Sequence, residues 1–202
     1  MLVGFGQANV KAEGSAVGFD TASESFTARY THDTIALAFA LTEEAVEDNL
    51  YESLSARYTK ALARSMAYTK QVRGANVLNN AFSVTGGDGV TLANTAHPTA
   101  LGGTFSNRSA TDADLTDVSL EKSMIDITGF IDERGLKISM KGEKLIIPVN
   151  IQFVDDRILE STLRVGTADN DINAIKNMGM IPGGFTINPS LTDQNSESIK
   201  NK

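Results

Sequence analysis

Few side chains in this sequence are of the types that do chemistry. It has two histidines, His32 and His97, and no cysteine. Disulfides and thiol nucleophiles are therefore excluded, and a metal site would rest on oxygen ligands and two imidazoles. No HExxH, no GxSxG and no GxGxxG leading into a helix occurs. His97 adjoins Pro98 in a polar stretch, a setting that suits a structural histidine better than a catalytic one. Gly86-Gly87-Asp88-Gly89 could be read as a phosphate cradle, but it lacks the Lys-Ser/Thr ending and opens no helix, so a turn is expected. Asp169, Asp171 and Asn173 alternate like the start of a calcium loop, without its glycine or its final glutamate. The acidic pair Glu43–Glu44 is explained by a helix start. The pair Asp155–Asp156, followed by Arg157, reads as a solvated helix face with a weak exposed ion pair. No nucleophile, base and orienting group come together, so no enzyme activity, metal or cofactor is expected.

The composition narrows the class. The 202 residues are enough for one large domain or two small ones. A hydrophobic content of 41% and a charged content of 21% are those of a folded chain. Seventeen glycines, 6% aromatics and no tryptophan point to an extended, loop-rich shape more than to a dense enzyme core. The net charge of −7 argues against a dedicated nucleic-acid binder, which needs a basic face to displace counterions, though not against a protein that encloses DNA. No apolar run reaches about 18 residues, so no membrane span is expected. The first residues lack the basic start and apolar core of a signal peptide.

The stretch that would position everything else runs from Thr42 to Phe82, without proline and with one glycine, Gly74. Val46, Leu50, Leu54, Tyr58, Leu62 and Met66, then Val72 and Phe82, fall at helical spacing. Thr42 offers an N-cap oxygen. Glu43, Glu44, Glu47, Asp48 and Glu52 precede Arg57, Lys60, Arg64, Lys70 and Arg73, an order that suits the helix dipole. One continuous helix would span roughly 60 Å. Two helices broken near Gly74–Ala75, or a coiled-coil arm, are the alternatives; the stripe steps mostly by four and lacks a sustained heptad.

Ahead of it, Phe26, Ala28 and Tyr30 alternate with Thr27 and Arg29. After Thr31-His32-Asp33-Thr34, large side chains occupy the odd positions from Ile35 through Leu37 and Phe39 to Leu41, with alanine between. That period of two predicts an antiparallel hairpin over 24–41. An isolated two-stranded ribbon is marginal in water, so its apolar faces call for a neighbouring subunit.

The remainder reads as smaller pieces. Residues 1–23 suggest a flexible arm or irregular strand, and 91–115 a long surface loop. A helix starts at Thr116, carries Leu120, Met124, Ile127 and Ile131, and stops at Gly135. Lys144 to Val149 reads as a short strand whose Pro148 marks an edge or an end. A helix from Phe153 to Leu163 would place Phe153, Val154, Ile158 and Leu159 on one side. A short turn or helical piece ends at Met178, Ile181 to Gly184 turn into the strand Phe185–Ile187, and the tail from Asp193 has a disordered composition.

Taken in order, these pieces resemble the major capsid protein of tailed bacteriophages, with the Hong Kong 97-type α+β fold, and more closely the Mu-like major head subunit group. The resemblance is carried by Leu41-Thr42-Glu43-Glu44-Ala45-Val46-Glu47-Asp48-Asn49-Leu50-Tyr51, Ala61-Leu62-Ala63-Arg64-Ser65 and Asn79-Asn80-Ala81-Phe82. Asp88-Gly89-Val90-Thr91-Leu92 with His97-Pro98, Leu145-Ile146-Ile147-Pro148 and Arg157-Ile158-Leu159-Glu160-Ser161 follow. Asn170-Asp171-Ile172-Asn173 and Leu191-Thr192-Asp193 complete it.

The resemblance implies an N-terminal arm over 1–23, an E-loop hairpin over 24–41, and a P-domain with its spine helix and following loop over 42–115. An A-domain-like region over 116–190 and a flexible tail over 191–202 would follow. It implies a structural subunit of a virion, assembled in the host cytoplasm into hexamers and pentamers of an icosahedral shell. The shell would enclose double-stranded DNA without sequence specificity, with scaffold, portal or decoration proteins as further partners and no membrane. Phe26, Tyr30, Ile35, Leu37, Phe39, Glu43, Glu47, Arg57, Lys60 and Arg64 become the subunit-contact candidates. The strands that the family places after its Leu-Thr-Asp motif have no counterpart here, so a piece of a longer subunit is one expectation. Within the same fold an encapsulin-like compartment shell is the alternative. From a different class, a small ligand-binding domain or enzyme would use the 86–115 loop.

Overall fold

The computed structural model describes residues 2–48, 51–100, 102–164, 171–192 and 198–201. It is mixed α and β, with small sheets. The chain divides into two compact units, one formed by Met1–Arg29 with Asn79–Lys202, the other by Tyr30–Leu78.

The first unit holds the apolar core. Helix α3 (Asp117–Thr128) begins where Thr116 and Ser119 cap each other: Thr116 Oγ1 accepts from the Ser119 N–H at 3.1 Å, and Ser119 Oγ from the Thr116 N–H at 2.8 Å. It buries Leu120, Met124 and Ile127 at spacings of four and three. It ends at Gly129, short of the expected Ile131 and Gly135. The reason lies just beyond it: Asp132 Oδ1 accepts from the N–H groups of Arg134 and Leu136, which fixes a turn that a helix cannot share. Gly135 serves that turn, with φ of +82°.

Strand β5 (Gly142–Ile147) is the centre of a three-stranded sheet, parallel to β6 (Phe185–Ile187) and antiparallel to β7 (Ser198–Asn201). Leu145 and Ile147, two residues apart on one face, are fully buried. Pro148, with no N–H for the ladder, ends the strand, so the end reading of that proline holds and the edge reading does not. A short 3-10 turn leads into α4 (Gln152–Glu160). Buried Asn173 then caps α5 (Ala174–Met178) through Oδ1, while its Nδ2 donates to the carbonyls of Ile158 and Ser161. One amide thereby ties the end of α4 to the start of α5. The return to β6 passes so close to β5 that a Cβ on Gly183 would sit 2.7 Å from the Glu143 carbonyl oxygen. Part of the supposed disordered tail is the strand β7; residues 193–197 and Lys202, the rest of that expectation, lie outside the described residues.

The N-terminal arm is pinned at both ends. Strand β1 (Leu2–Val3) pairs with β2 (Ser23–Glu24), and Val3 is buried. The Arg134 guanidinium donates to the carbonyls of Gly4 and Thr21 and to Asp20 Oδ1. Between these ties Val10 and Phe19 are fully exposed. The expected long loop over 91–115 is partly ordered as the ribbon β3 (His97–Pro98) with β4 (Thr104–Phe105), closed by bonds between Asn94 and Asn107.

The second unit contains α1 (Glu43–Glu47), capped by Thr42, and the long helix α2 (Tyr51–Asn79), whose last residue, Asn79, falls in the first unit. The expected single helix from Thr42 to Phe82 is therefore two segments. The first ends at Asp48, and the join at Asn49–Leu50 lies outside the described residues. Gly74 does not break α2. The expected hairpin over 24–41 is also absent: residues 25–41 carry no strand, and Ser23–Glu24 pair with the N-terminus instead. A two-stranded ribbon has too little of its own chain to rest on. A Cβ on Gly74 would meet nothing within 4 Å. Gly74→Ala should therefore stabilise α2 by roughly 0.5–1 kcal/mol, seen as a higher midpoint in thermal melting followed by helical circular dichroism.

Candidate subunit-contact surface

In the second unit the segment before α1 lies back along α2. Arg73 Nη1 donates to Asp33 Oδ2 at 2.8 Å, and the rings of Phe39 and Tyr58 meet edge to face with centroids 5.6 Å apart. Going from 33 to 39 in extended chain covers about 20 Å. Going from 73 back to 58 along a helix covers about 22 Å. The two contacts are thus consistent with an antiparallel run. Leu54, Leu62, Met66, Thr69 and Val72 form the half-buried side of the helix.

This covering is thin. Among the described residues of the unit only Ala75 is buried. Tyr30 is 88% exposed, Leu37 54%, Val46 49%, Tyr68 64% and Val77 59%. Phe39 and Tyr58 remain more than a third exposed although they touch each other. Of the apolar contact candidates, Tyr30, Leu37 and Phe39 are thus on the surface, Ile35 is half-buried, and Phe26 is half-buried in the first unit. Glu43, Glu47, Arg57, Lys60 and Arg64 are all exposed.

The first unit holds a buried histidine–aspartate pair and a groove lined by charged residues. Buried His97 places Nδ1 2.5 Å from Asp88 Oδ2 and stacks on Phe105 at 5.2 Å. Burial pushes the Asp88 carboxyl up, but the hydrogen bonds from His97 and from the Val90 N–H outweigh it and hold the group below the ordinary carboxylate range. The pair ties the glycine-rich turn to the β3–β4 ribbon. A groove of about 690 Å³ carries Asp117, Glu121, Arg157, Arg164 and Asn173, with Arg164 paired to Asp117. Asp171 and Asn173 of the calcium-like spacing lie near it; Asp169 is outside the described residues. No cluster of three potential metal ligands occurs among the described residues.

Asp155 overturns the expectation of a solvated acidic pair. It is fully buried, and neither carboxylate oxygen has a hydrogen-bond partner. The buried face of α4 is Asp155, Ile158 and Leu159, whereas Phe153 is 68% exposed. The signal was present in the sequence, since Asp155 precedes Ile158 and Leu159 by three and four residues. Burial first, and the neighbouring Asp156 charge second, push its pKa up to about 7. A carboxyl with a raised pKa favours the fold fully below its ordinary value, and the contribution is lost as pH rises through about 7. Asp155→Asn should leave the melting temperature near pH 4 unchanged and raise it at pH 8, by on the order of 2–4 kcal/mol of stability. An unchanged pH profile in thermal melts would show that this carboxyl ionises freely.

Comparisons with protein-family models, with curated proteins and with solved structures return no match.

Proposed function

We propose that the chain is a structural subunit that assembles with copies of itself into a closed shell, in the manner of the tailed-phage major capsid protein with the Hong Kong 97-type fold. The observation that carries this reading is the second unit. A 29-residue helix and the segment laid along it bury only Ala75 among their described residues, yet expose Tyr30, Leu37, Tyr68 and Val77. Scattered exposed apolar residues are ordinary, but so many on so thin an element call for a partner surface. Copies of the same chain are the most economical source, since most soluble oligomers are symmetric assemblies of one subunit.

In this reading residues 24–41 act as the arm that reaches a neighbour, the helical stretch 42–82 as the spine, and 116–190 as the region around the capsomer centre. The chain's role is geometric. Its acidic balance fits enclosure of DNA without sequence reading more than tight binding to it.

The purified protein should form capsomers or shells, read by light scattering and negative-stain microscopy. A strictly monomeric protein whose melting point rises with a small ligand would overturn the reading. Leu37→Asp changes a half-exposed side chain and should leave helix content and melting nearly as in the parent. It should nevertheless abolish particles.

A further inference from the structure

Two sets of charges in the second unit have no ionic partners among the described residues. Arg57, Lys60 and Arg64 sit at positions i, i+3 and i+7 of α2, so they form one strip about 10 Å long. The strip lies roughly opposite the half-buried side that carries Leu54, Leu62 and Met66. All three cations are exposed, and none is in an ion pair or hydrogen bond with another described residue. Farther along, Arg73 differs, because it reaches Asp33. On α1 and its cap, Glu43, Glu44, Glu47 and Asp48 are also exposed, and their side chains have no cationic partner among the described residues. Glu43 and Glu47 stand one turn apart on the same face.

We infer that copies of the chain meet head to tail, with the acidic strip of α1 in one copy seated against the basic strip Arg57–Lys60–Arg64 of the next. The inference rests on the shell reading above and names the contact within it. Its ground is charge complementarity: a chain with a net charge of −7 gathers, with no ionic partner among the described residues, three cations on one helix face and four anions on a neighbouring element. Exposed ion pairs contribute little affinity one by one. Arranged as facing strips they speed encounter, penalise wrong registers and select one rotation between copies. A contact between two different patches is heterologous, so a suitable rotation closes it into rings. The exposed Tyr68, one turn beyond Arg64 on α2, then supplies apolar burial beside it.

Charge swapping tests this directly. One variant carries Glu43→Lys and Glu47→Lys, a second carries Arg57→Glu, Lys60→Glu and Arg64→Glu, and a third carries all five. Circular dichroism checks that each is folded. Light scattering and negative-stain microscopy read assembly, and the nucleic-acid content of the particles is measured. The expected result is loss of particles in the first two variants and recovery in the third, which restores opposite charges across every contact. Assembly of the parent should also weaken as salt rises through the range where the Debye length falls below about 8 Å. Should a reversed variant fail to fold, Arg57→Gln, Lys60→Gln and Arg64→Gln should flatten that salt dependence.

Three outcomes overturn the inference while leaving the shell reading in place: normal particles in both single-set variants, no recovery in the third, or normal particles that lose only nucleic acid in the second. The last would assign the basic strip to DNA. A parent chain that never assembles would instead remove the shell reading itself.

Discussion

Leu145 and Ile147 have no exposed surface, and the first unit can be derived from the need to keep them covered. They point to one side of a strand that is itself flanked on both edges. α3 contributes Leu120, Met124 and Ile127 to the same core, α4 contributes Ile158 and Leu159, and α5 contributes Ile175. Side-chain chemistry holds definite ends: the Thr116–Ser119 box starts α3, and the Asn173 amide holds the end of α4 and the start of α5, while Pro148 stops the strand. Burial supplies the driving force, and these caps set where each element starts and stops.

The second unit obeys the opposite logic. It has a long helix but almost no interior among its described residues, and the exposed ion pair and the ring pair orient the chain more than they stabilise it. One polypeptide therefore combines a part that satisfies itself with a part that does not. Asp155 is the exception inside the first: a buried carboxyl without donors, kept in the core because its helix also carries Ile158 and Leu159.

Much of the first unit was legible in the sequence. The stripe Leu120–Met124–Ile127, the short strand before Pro148 and the strand Phe185–Ile187 are all present. What failed did so where tertiary contacts outrank local pattern. The alternation over 26–41 is a genuine period of two, but residues 25–41 carry no strand, and Asp33 and Phe39 meet the long helix instead. The expected helix end at Gly135 lost to an aspartate that builds its own turn. Asp155 was misread because its charge was weighed before its phase on α4. Among the contact candidates, the exposure of Leu37 runs against residue type, whereas that of the charged residues followed from it. That Phe39 would rest on Tyr58 did not, since the pairing depends on how the segment folds back.

That fold-back behaves like a vernier scale. Six steps of extended chain, from Asp33 to Phe39, match fifteen steps of helix, from Tyr58 to Arg73, because one rise is a little more than twice the other. Slipping the extended segment by one residue moves it about 3 Å, or two helical residues, and two helical residues turn the facing side by roughly 200°. Neither anchor survives such a slip, so the two graduations agree at one setting only. Two weak contacts can thus fix the position of Leu37, which lies between them, along the helix to within a single residue, a precision that owes nothing to their strength and everything to the mismatch of the two rulers.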